Sequence, residues 1–329
     1  MEKLRLGVLS VSNHFIKRVV LPVKELDNVE ITAIASRHLS KATDAARRFG
    51  IKQAYGSYQA LLNDKSIDAV YIPLPNHMHT EWTKKAADAG KHILCEKPMC
   101  MDADEARELV EYCQKRNVVL MEAFMYKHHP QWIKVHDIIR TNNIGSVQYI
   151  NTSFSYNNPS ASNIRNIKEY GGGGLRDIGC YAISVPRFLL DREPNRVISL
   201  LNEHPDFGTD VLTSAILDFG NARATFNVST CASSFQVVDI VASAGRICLH
   251  LPFNTYADVP AKITVETALG LRVIEIPPVD QYGLMVNDFA NLIINNEPPS
   301  ADEDDAICNQ KVLDAVLRSS QSQSWETVS

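Results

Sequence analysis

The sequence has no C-x-x-C pair, no long apolar run and no excess of basic residues, and each absence removes a class of protein. Its seven cysteines (Cys95, Cys100, Cys113, Cys180, Cys231, Cys248 and Cys308) are odd in number and mostly stand in apolar runs. That suits buried, reduced thiols better than a disulfide framework or a zinc site. No stretch approaches the roughly 20 apolar residues needed to span a bilayer. A net charge of -5 argues against nucleic acid or an anionic membrane as the main partner. Met1–Leu6 carries charge and runs straight into a strand, so no secretory signal is read and a cytoplasmic setting is expected. What is there is an ordinary globular composition, 45% hydrophobic and 22% charged, over 329 residues, enough for two domains.

Short apolar runs at Leu4–Leu9, Val29–Ala35, Ala69–Pro73, Ile93–Cys95 and Val118–Glu122 read as buried strands. Helical periodicity separates them, over Ser40–Phe49, Tyr58–Leu62, Thr80–Ala89 and Asp102–Arg116, with Asp102 and Glu105 spaced for a capping box. Alternation of this kind predicts an α/β fold with a doubly wound parallel sheet over residues 1–123. From residue 124 the pattern changes. Val147–Tyr156, Arg196–Asn202, Val211–Phe219, Ala222–Thr230, Gln236–Ala242, Arg246–Leu251 and Lys262–Thr267 alternate with period two, with hairpin chemistry at Asp218–Asn221 and Ala244–Gly245. Residues 124–329 are therefore expected to form an α+β domain. Its large, mostly antiparallel sheet carries helices such as Tyr181–Leu190 on one face and leaves the other open for self-association. Met285–Asn295 and Asp304–Ser319 read as closing helices, and Gln321–Ser329 as a loose polar tail.

In an open parallel sheet, ligands collect outside the carboxyl ends of the strands. Lys97 emerges at such an end, beside Glu96, and Pro98 stops the strand there. A lysine so placed can meet a substrate as proton donor or positive charge; a structural Glu–Lys pair is the alternative. The first strand leads into Ser10–Val11–Ser12–Asn13, where a dinucleotide pyrophosphate would meet a helix start. The usual G-x-G-x-x-G positions fall on Ser10, Ser12 and Phe15. Serine offers a hydroxyl and an amide to phosphate but adopts positive φ less readily than glycine, and Phe15 is bulky for close helix–strand packing. A plain strand–helix turn is the competing reading. The second strand ends Ala35–Ser36–Arg37 in place of the acid that takes a ribose 2′-hydroxyl. A hydroxyl and a guanidinium suit a 2′-phosphate, favouring NADP(H) over NAD(H); a solvated surface arginine is the alternative.

Four segments, in order, carry a resemblance that spans nearly the whole chain. They are Ile72-Pro73-Leu74-Pro75-Asn76-His77-Met78-His79, Cys95-Glu96-Lys97-Pro98, Met121-Glu122-Ala123-Phe124-Met125-Tyr126-Lys127-His128-His129-Pro130-Gln131, and Gly171-Gly172-Gly173-Gly174-Leu175-Arg176-Asp177-Ile178-Gly179-Cys180-Tyr181. The chain resembles the glucose–fructose oxidoreductase / inositol dehydrogenase (Gfo/Idh/MocA) family of NAD(P)-dependent oxidoreductases. It is nearest to the NADP-using sugar and dihydrodiol dehydrogenases, since the inositol dehydrogenase branch typically has His where this chain has Tyr181.

The resemblance implies a Rossmann domain, a substrate cleft between the two domains, and a nicotinamide over the sheet's carboxyl edge. By that likeness Lys97 polarises the reacting oxygen and helps move its proton, and Tyr181 is the main acid/base, its phenol acidified by the neighbouring ammonium. Asp177, one helical turn before Tyr181, orients Lys97 or bonds the substrate. Cofactor contacts are expected from Ser10, Ser12, Asn13, His14, Ser36, Arg37, Leu74, Pro75, Asn76, His79, Glu96, Lys97 and Arg165. Specificity is expected from Tyr126, His129, Tyr156 and Asn157. His128 and His129 lack metal spacing, and no metal is needed, because the nicotinamide carries the hydride. His14–Phe15 departs from the family pattern, which bears on cofactor affinity. The implied activity is NADP(H)-dependent hydride transfer on a sugar, sugar derivative or related cyclic polyol or diol, by a homodimer or homotetramer joined through the second sheet. The competing class is a catalytically silent NADP-binding sensor; a third option is a dinucleotide-free sugar-binding protein.

Overall fold

β1 (Leu4–Leu9), β2 (Val29–Ala35), β3 (Gln53–Tyr55), β4 (Ala69–Ile72), β5 (His92–Glu96) and β6 (Leu120–Ala123) form one parallel sheet, ordered β3-β2-β1-β4-β5-β6. A parallel sheet is covered on both faces, so its strands need apolar residues at every position. Val8, Leu9, Ile34, Ala35, Val70, Tyr71, Ile93 and Leu94 are accordingly all fully buried. Strand order reverses between β1 and β4, and in open parallel sheets the carboxyl edge at such a reversal is where ligands bind. The structure is a computed structural model describing residues 3–141, 143–297 and 302–328.

Helix Ala103–Gln114 begins as expected. Asp102 Oδ1 accepts from the Glu105 amide at 2.8 Å, and Glu105 reaches back to the amide of Met101 at 2.7 Å.

The second sheet has nine strands: β7 (Val147–Asn157), β8 (Arg196–Glu203), β9 (Asp210–Asp218), β10 (Arg223–Ser229), β11 (Cys231–Ala242), β12 (Gly245–Leu249), β13 (Ala261–Thr267), β14 (Gly270–Ile276) and β15 (Glu326–Thr327). Their order is β14-β13-β12-β11-β7-β10-β9-β8-β15, antiparallel except for the central β7–β10 pair. One face buries Ile150, Phe154, Phe226, Val228, Ile240 and Ile247, and helices Pro130–Arg140 and Cys180–Leu190 pack against this sheet. The period-two alternation puts Tyr149, Leu212, Ile216, Phe235 and Val273 on the other face, all exposed.

The chain divides into two units, and the division is not a single cut. Asp280–Ile307 joins the first unit with the residues up to Met125, while Cys308–Ser329 returns to the second with Tyr126–Val279. An uninterrupted second domain over 124–329 is therefore not what the structure has. The physical reason lies in helix Gln281–Ile294, which buries Tyr282, Met285, Val286 and Phe289, and whose Asn287 and Asn291 both accept from Asn28 Nδ2. Its apolar stripe was legible in the sequence, but the surface it covers was not. The C-terminal tail also differs from expectation. β15 pairs with β8, Arg318 donates to Thr327 O, and Ser319 Oγ donates to Ser324 O. Backbone pairing, which composition does not report, ties down a polar segment.

Candidate active site

In the first unit, carboxyl ends of three parallel strands supply chemistry. After β1, Ser12 Oγ accepts from the Phe15 amide at 3.1 Å, so the serine caps the helix that follows and leaves Asn13 exposed at its start. That helix opens with a widened π-helical turn, Phe15–Val19. Ser10, Ser12 and Phe15 are not among the positive-φ residues, which explains how the turn is made without glycine. Phe15 is fully buried, its ring 6.3 Å from that of Tyr71. The bulky residue faces the core. At the end of β2, Ser36 is buried, its amide donates to Tyr55 O and its hydroxyl accepts from the His38 amide, while Arg37 is exposed. These groups fit a dinucleotide with a 2′-phosphate: amides and a hydroxyl at a helix start, and an exposed guanidinium at the second strand's end.

Lys97 leaves β5 half-buried. The turn after it is pinned at two backbone atoms: His79 Nδ1 lies 2.9 Å from Pro98 O, and Glu122 Oε1 accepts from the Met99 amide at 2.7 Å. Beside Lys97, Glu96 accepts from the Tyr71 hydroxyl at 2.5 Å and faces His14 Nε2 at 3.4 Å, an ion-pair distance. Burial works to raise the Glu96 carboxyl, but His14, Tyr71 and Lys97 outweigh it and hold the group at about 2. The Tyr71 phenol is pushed well up by burial and by that carboxylate.

His14 and Glu96 were expected to touch cofactor; the structure pairs them with each other and sets the His14 ring edge-on to Tyr282 at 5.4 Å. His79 was expected to meet cofactor or substrate. It is fully buried, its second nitrogen 2.9 Å from Leu74 O, so its contacts run to backbone carbonyls instead. Pro75 and Asn76 remain partly accessible on the same loop, whereas Leu74 is buried.

In the second unit, the glycine run reads as close packing. A Cβ on Gly172 would stand 2.5 Å from Arg165 O, and one on Gly173, whose φ is +125°, would stand 2.0 Å from Asp210 Oδ1. Only glycine lets this segment lie against both. The approach brings Asp177 to Arg165, whose Nε donates to Asp177 Oδ1 at 2.9 Å, while the Tyr156 hydroxyl donates to Oδ2. Burial first, then Asp177, push the Tyr156 phenol far up. Asp210 accepts from the Leu175 amide at 2.6 Å and from Thr213 Oγ1 at 3.0 Å; burial raises its carboxyl and these donors oppose the rise.

Asp177 lies on a π-helical turn, Leu175–Gly179, that runs directly into helix Cys180–Leu190 and Tyr181. Such turns recur at functional sites. The Tyr181 ring is walled by Tyr126, Phe154 and Phe253, with centroids at 5.9, 6.0 and 5.1 Å.

Two expected substrate contacts change role. Tyr126 is fully buried with its hydroxyl 2.7 Å from Ser184 Oγ, and it presents no surface to a ligand. His129 is buried as well, and its Nδ1 accepts from the Gln131 amide to cap helix Pro130–Arg140. Tyr126 stands in the wall around Tyr181. Sequence reasoning missed Asp210, a lone acid at a strand start with no motif around it. It also missed the part played by Glu122, which stood in plain view inside the Met121–Gln131 segment. Among the described residues, no group of three or more His, Cys, Asp or Glu side chains is arranged to hold a metal ion, and no helix is long and apolar enough to cross a membrane.

Comparison with known proteins agrees with this geometry. The model of an oxidoreductase family with an NAD-binding Rossmann fold matches residues 7–124, and that of the GFO/IDH/MocA C-terminal domain matches residues 132–248. The D-xylose 1-dehydrogenase (NADP(+)) 2 of Haloferax volcanii is 35% identical over 317 residues, which covers 96% of this chain and 97% of that protein. The trans-1,2-dihydrobenzene-1,2-diol dehydrogenase of Xenopus laevis is 32% identical over 223 residues, 67% of this chain and 66% of its own. A 3-ketoreductase from Actinomadura kijaniata, crystallised with NADP and TDP-benzene, superposes with a TM-score of 0.92 at 29% identity, covering 97% of this chain and 98% of that one. With both of its halves matched by the family's own models, the chain belongs to the GFO/IDH/MocA family of oxidoreductases.

Proposed function

We propose that this protein is an NADP(H)-dependent oxidoreductase acting on a hydroxyl-bearing or carbonyl carbon of a sugar, sugar derivative or related cyclic polyol or diol. The observation that carries the reading is Lys97: an amine at the carboxyl end of β5, on a turn pinned through Pro98 O and Met99 N, on the sheet edge that also bears Ser12 and Arg37. Bound cofactor would accept the hydride as NADP+ or supply it as NADPH. Ser12 and the amides at the helix start would hold its pyrophosphate, and Arg37 with Ser36 would hold the 2′-phosphate. Lys97 donates to the reacting oxygen and polarises the carbon–oxygen bond. Tyr181 exchanges the hydroxyl proton with that oxygen, within aromatic walls that exclude water. Asp177, balanced by Arg165 and Tyr156, bonds a substrate hydroxyl.

The test is an NADPH fluorescence titration, then NADP-linked oxidation of a panel of aldoses, polyols and cyclic diols, repeated with Lys97→Ala and Tyr181→Phe. Turnover that falls by about 10²–10⁴ in each variant is expected. Tight NADPH binding with no turnover on any panel member would sink the reading.

We also propose a homodimer or homotetramer formed through the open face of the nine-stranded sheet, since Leu212, Ile216 and Phe235 leave apolar surface there. Light scattering of the wild type and of Phe235→Asp measures it; a wild-type monomer refutes it. The seven free thiols suit the reducing cytoplasm in which we place the enzyme.

A further inference from the structure

Residues 251–254, between β12 and β13, belong to no strand or helix, yet they carry Pro252 and Phe253 into the interior of the second unit. Buried backbone donors and acceptors outside a ladder must find other partners. Here side chains supply them. Gln131 Nε2 donates to Leu251 O at 3.2 Å and to Pro252 O at 3.1 Å, and Trp132 Nε1 donates to Pro252 O at 2.8 Å. Gln236 Oε1 accepts from the Phe253 amide at 2.9 Å and from the Asn254 amide at 3.0 Å. Carbonyl oxygens only accept and amide N–H groups only donate, so Gln131 must turn its nitrogen to the loop and Gln236 its oxygen. Helix Pro130–Arg140 thus grips the loop from one side of Phe253, and β11 grips it from the other.

What this brace holds is the Phe253 ring. It is fully buried, stacks on Phe154 at 4.9 Å and on Trp132 at 6.1 Å, and meets the Tyr181 ring at 5.1 Å. Gln236 lies opposite Phe154 in the β11–β7 pairing, so both side chains stand on the helix-covered face of the sheet. The loop is therefore fastened next to a ring on which Phe253 stacks. Apolar packing alone is non-directional and would let the ring settle in more than one place. Hydrogen bonds to its own amide and to the carbonyl before it remove that freedom.

We propose that Gln236 and Gln131 are positioning residues for Tyr181, acting through Phe253: they fasten the loop whose ring fixes where the phenol stands. A released loop leaves the wall apolar but no longer in one place, and a displacement of about 1 Å can cost on the order of 10²-fold in rate. This inference rests on Tyr181 exchanging the substrate proton; the fastening of the loop does not.

Hydrogen exchange of the full chain, read by mass spectrometry on peptides spanning residues 251–256, tests the fastening without substrate. Gln236→Leu removes the acceptor and speeds exchange there about 10-fold or more, whereas Gln236→Glu keeps an oxygen for both amides and leaves exchange slow. Exchange in Gln236→Leu as slow as in wild type overturns the proposal. The kinetic arm counts folded enzyme by NADPH titration and measures turnover on the same panel of aldoses, polyols and cyclic diols. In Gln236→Leu kcat falls about 10- to 100-fold, in Gln236→Glu it returns to within a few-fold of wild type, and KM for the dinucleotide stays level in both. A role in stability alone lowers the amount of folded enzyme and leaves kcat per binding site unchanged, a result that also overturns the proposal. Phe253→Leu leaves the backbone bonds in place and takes the ring from Tyr181, so an unchanged kcat there overturns it whether or not Gln236→Leu folds. If Tyr181→Phe keeps full activity, the acid/base reading fails and the purpose of the brace with it; if Tyr181→Phe is inactive and Gln236→Leu is not, this inference fails alone.

Discussion

The Tyr156 hydroxyl donates to one oxygen of the Asp177 carboxylate, and Arg165 donates to the other. The acid one helical turn before Tyr181 is thus held in a fixed orientation by its own unit. An anion with two charge-assisted or short hydrogen bonds is a preorganised acceptor for a substrate hydroxyl, because little has to move when the ligand arrives.

Replacing Asp177 with Asn keeps the shape and removes the charge. Burial and the Asp177 carboxylate together push the Tyr156 phenol up, so Asp177→Asn moves that phenol back toward its ordinary range while burial keeps it elevated. Absorbance titration of the phenolate, with Tyr156→Phe as the blank, measures the change. The same variant lowers kcat/KM about 10- to 100-fold, since a hydrogen bond to a charged group contributes on the order of 1.5–3 kcal/mol. A Tyr156 titration identical to wild type would contradict the pairing.

Much of this was legible in the sequence because the signals are local. Strand β2 begins and ends at the residues its apolar run marks, Asp102 caps where its spacing says, and Lys97 stands at a strand end because Pro98 forbids anything longer. Partnerships between distant residues were not legible. Nothing around Asp210 announces that it fills the space a Gly173 side chain would need, and nothing around His129 says that its ring caps a helix. Residue type predicted chemistry for His79, Tyr126 and His129 alike, but burial redirected all three to support. β3 and β14 also escaped notice, the first being three residues long and the second an exposed edge strand.

Burial holds the His129 imidazole down to about 4, from 6.5 for a free histidine. Between those values the unfolded chain binds a proton that the native one does not, so stability falls as pH drops from about 6.5 to about 4. His129→Asn keeps an acceptor for the Gln131 amide and removes the titration. Thermal melts across this range should decline more steeply for wild type than for the variant. Parallel curves would rule out a neutral, buried His129.

The Glu96 carboxyl acts in the next window down. Its native value of about 2 lies below its ordinary 4.5, so its contribution is complete above pH 4.5 and is lost as pH falls toward 2. A shift of that size corresponds to roughly 3 kcal/mol. Glu96→Gln, which keeps an acceptor for Tyr71, flattens acid unfolding of the first unit below pH 4.5, measured by denaturant melts at fixed pH. Equal slopes for the two proteins would refute a depressed Glu96 carboxyl.

Gly173→Ala has two faults at once. Its φ of +125° is strained for any side chain, and the new Cβ would lie 2.0 Å from Asp210 Oδ1. Asp210 cannot simply move aside, because it accepts from Leu175 and Thr213. A loss of about 3 kcal/mol or more is expected, in the range reserved for buried clashes and broken polar networks. The denaturant midpoint of the second unit reads it. A loss below about 1 kcal/mol would mean the segment shifts freely.

Arg37 is the residue we propose to choose between the two dinucleotides. It is exposed at the end of β2, where the chain has no acid to take a ribose 2′-hydroxyl, and Ser36 is already committed to the His38 amide as an acceptor, leaving its hydroxyl proton to donate. Arg37→Ala removes a charge-assisted contact to a 2′-phosphate and leaves the pyrophosphate turn at Ser12 intact, so NADPH affinity should weaken about 10- to 100-fold while NADH affinity stays nearly level. Arg37→Asp goes further, because a carboxylate repels the phosphate and accepts from the hydroxyl, and it should invert the preference. Fluorescence titrations with both dinucleotides, at two salt concentrations, separate the effects: the NADPH loss in Arg37→Ala shrinks as salt screens the ion pair. If both dinucleotides weaken equally, Arg37 acts on the fold of the β2 turn and the selectivity lies elsewhere.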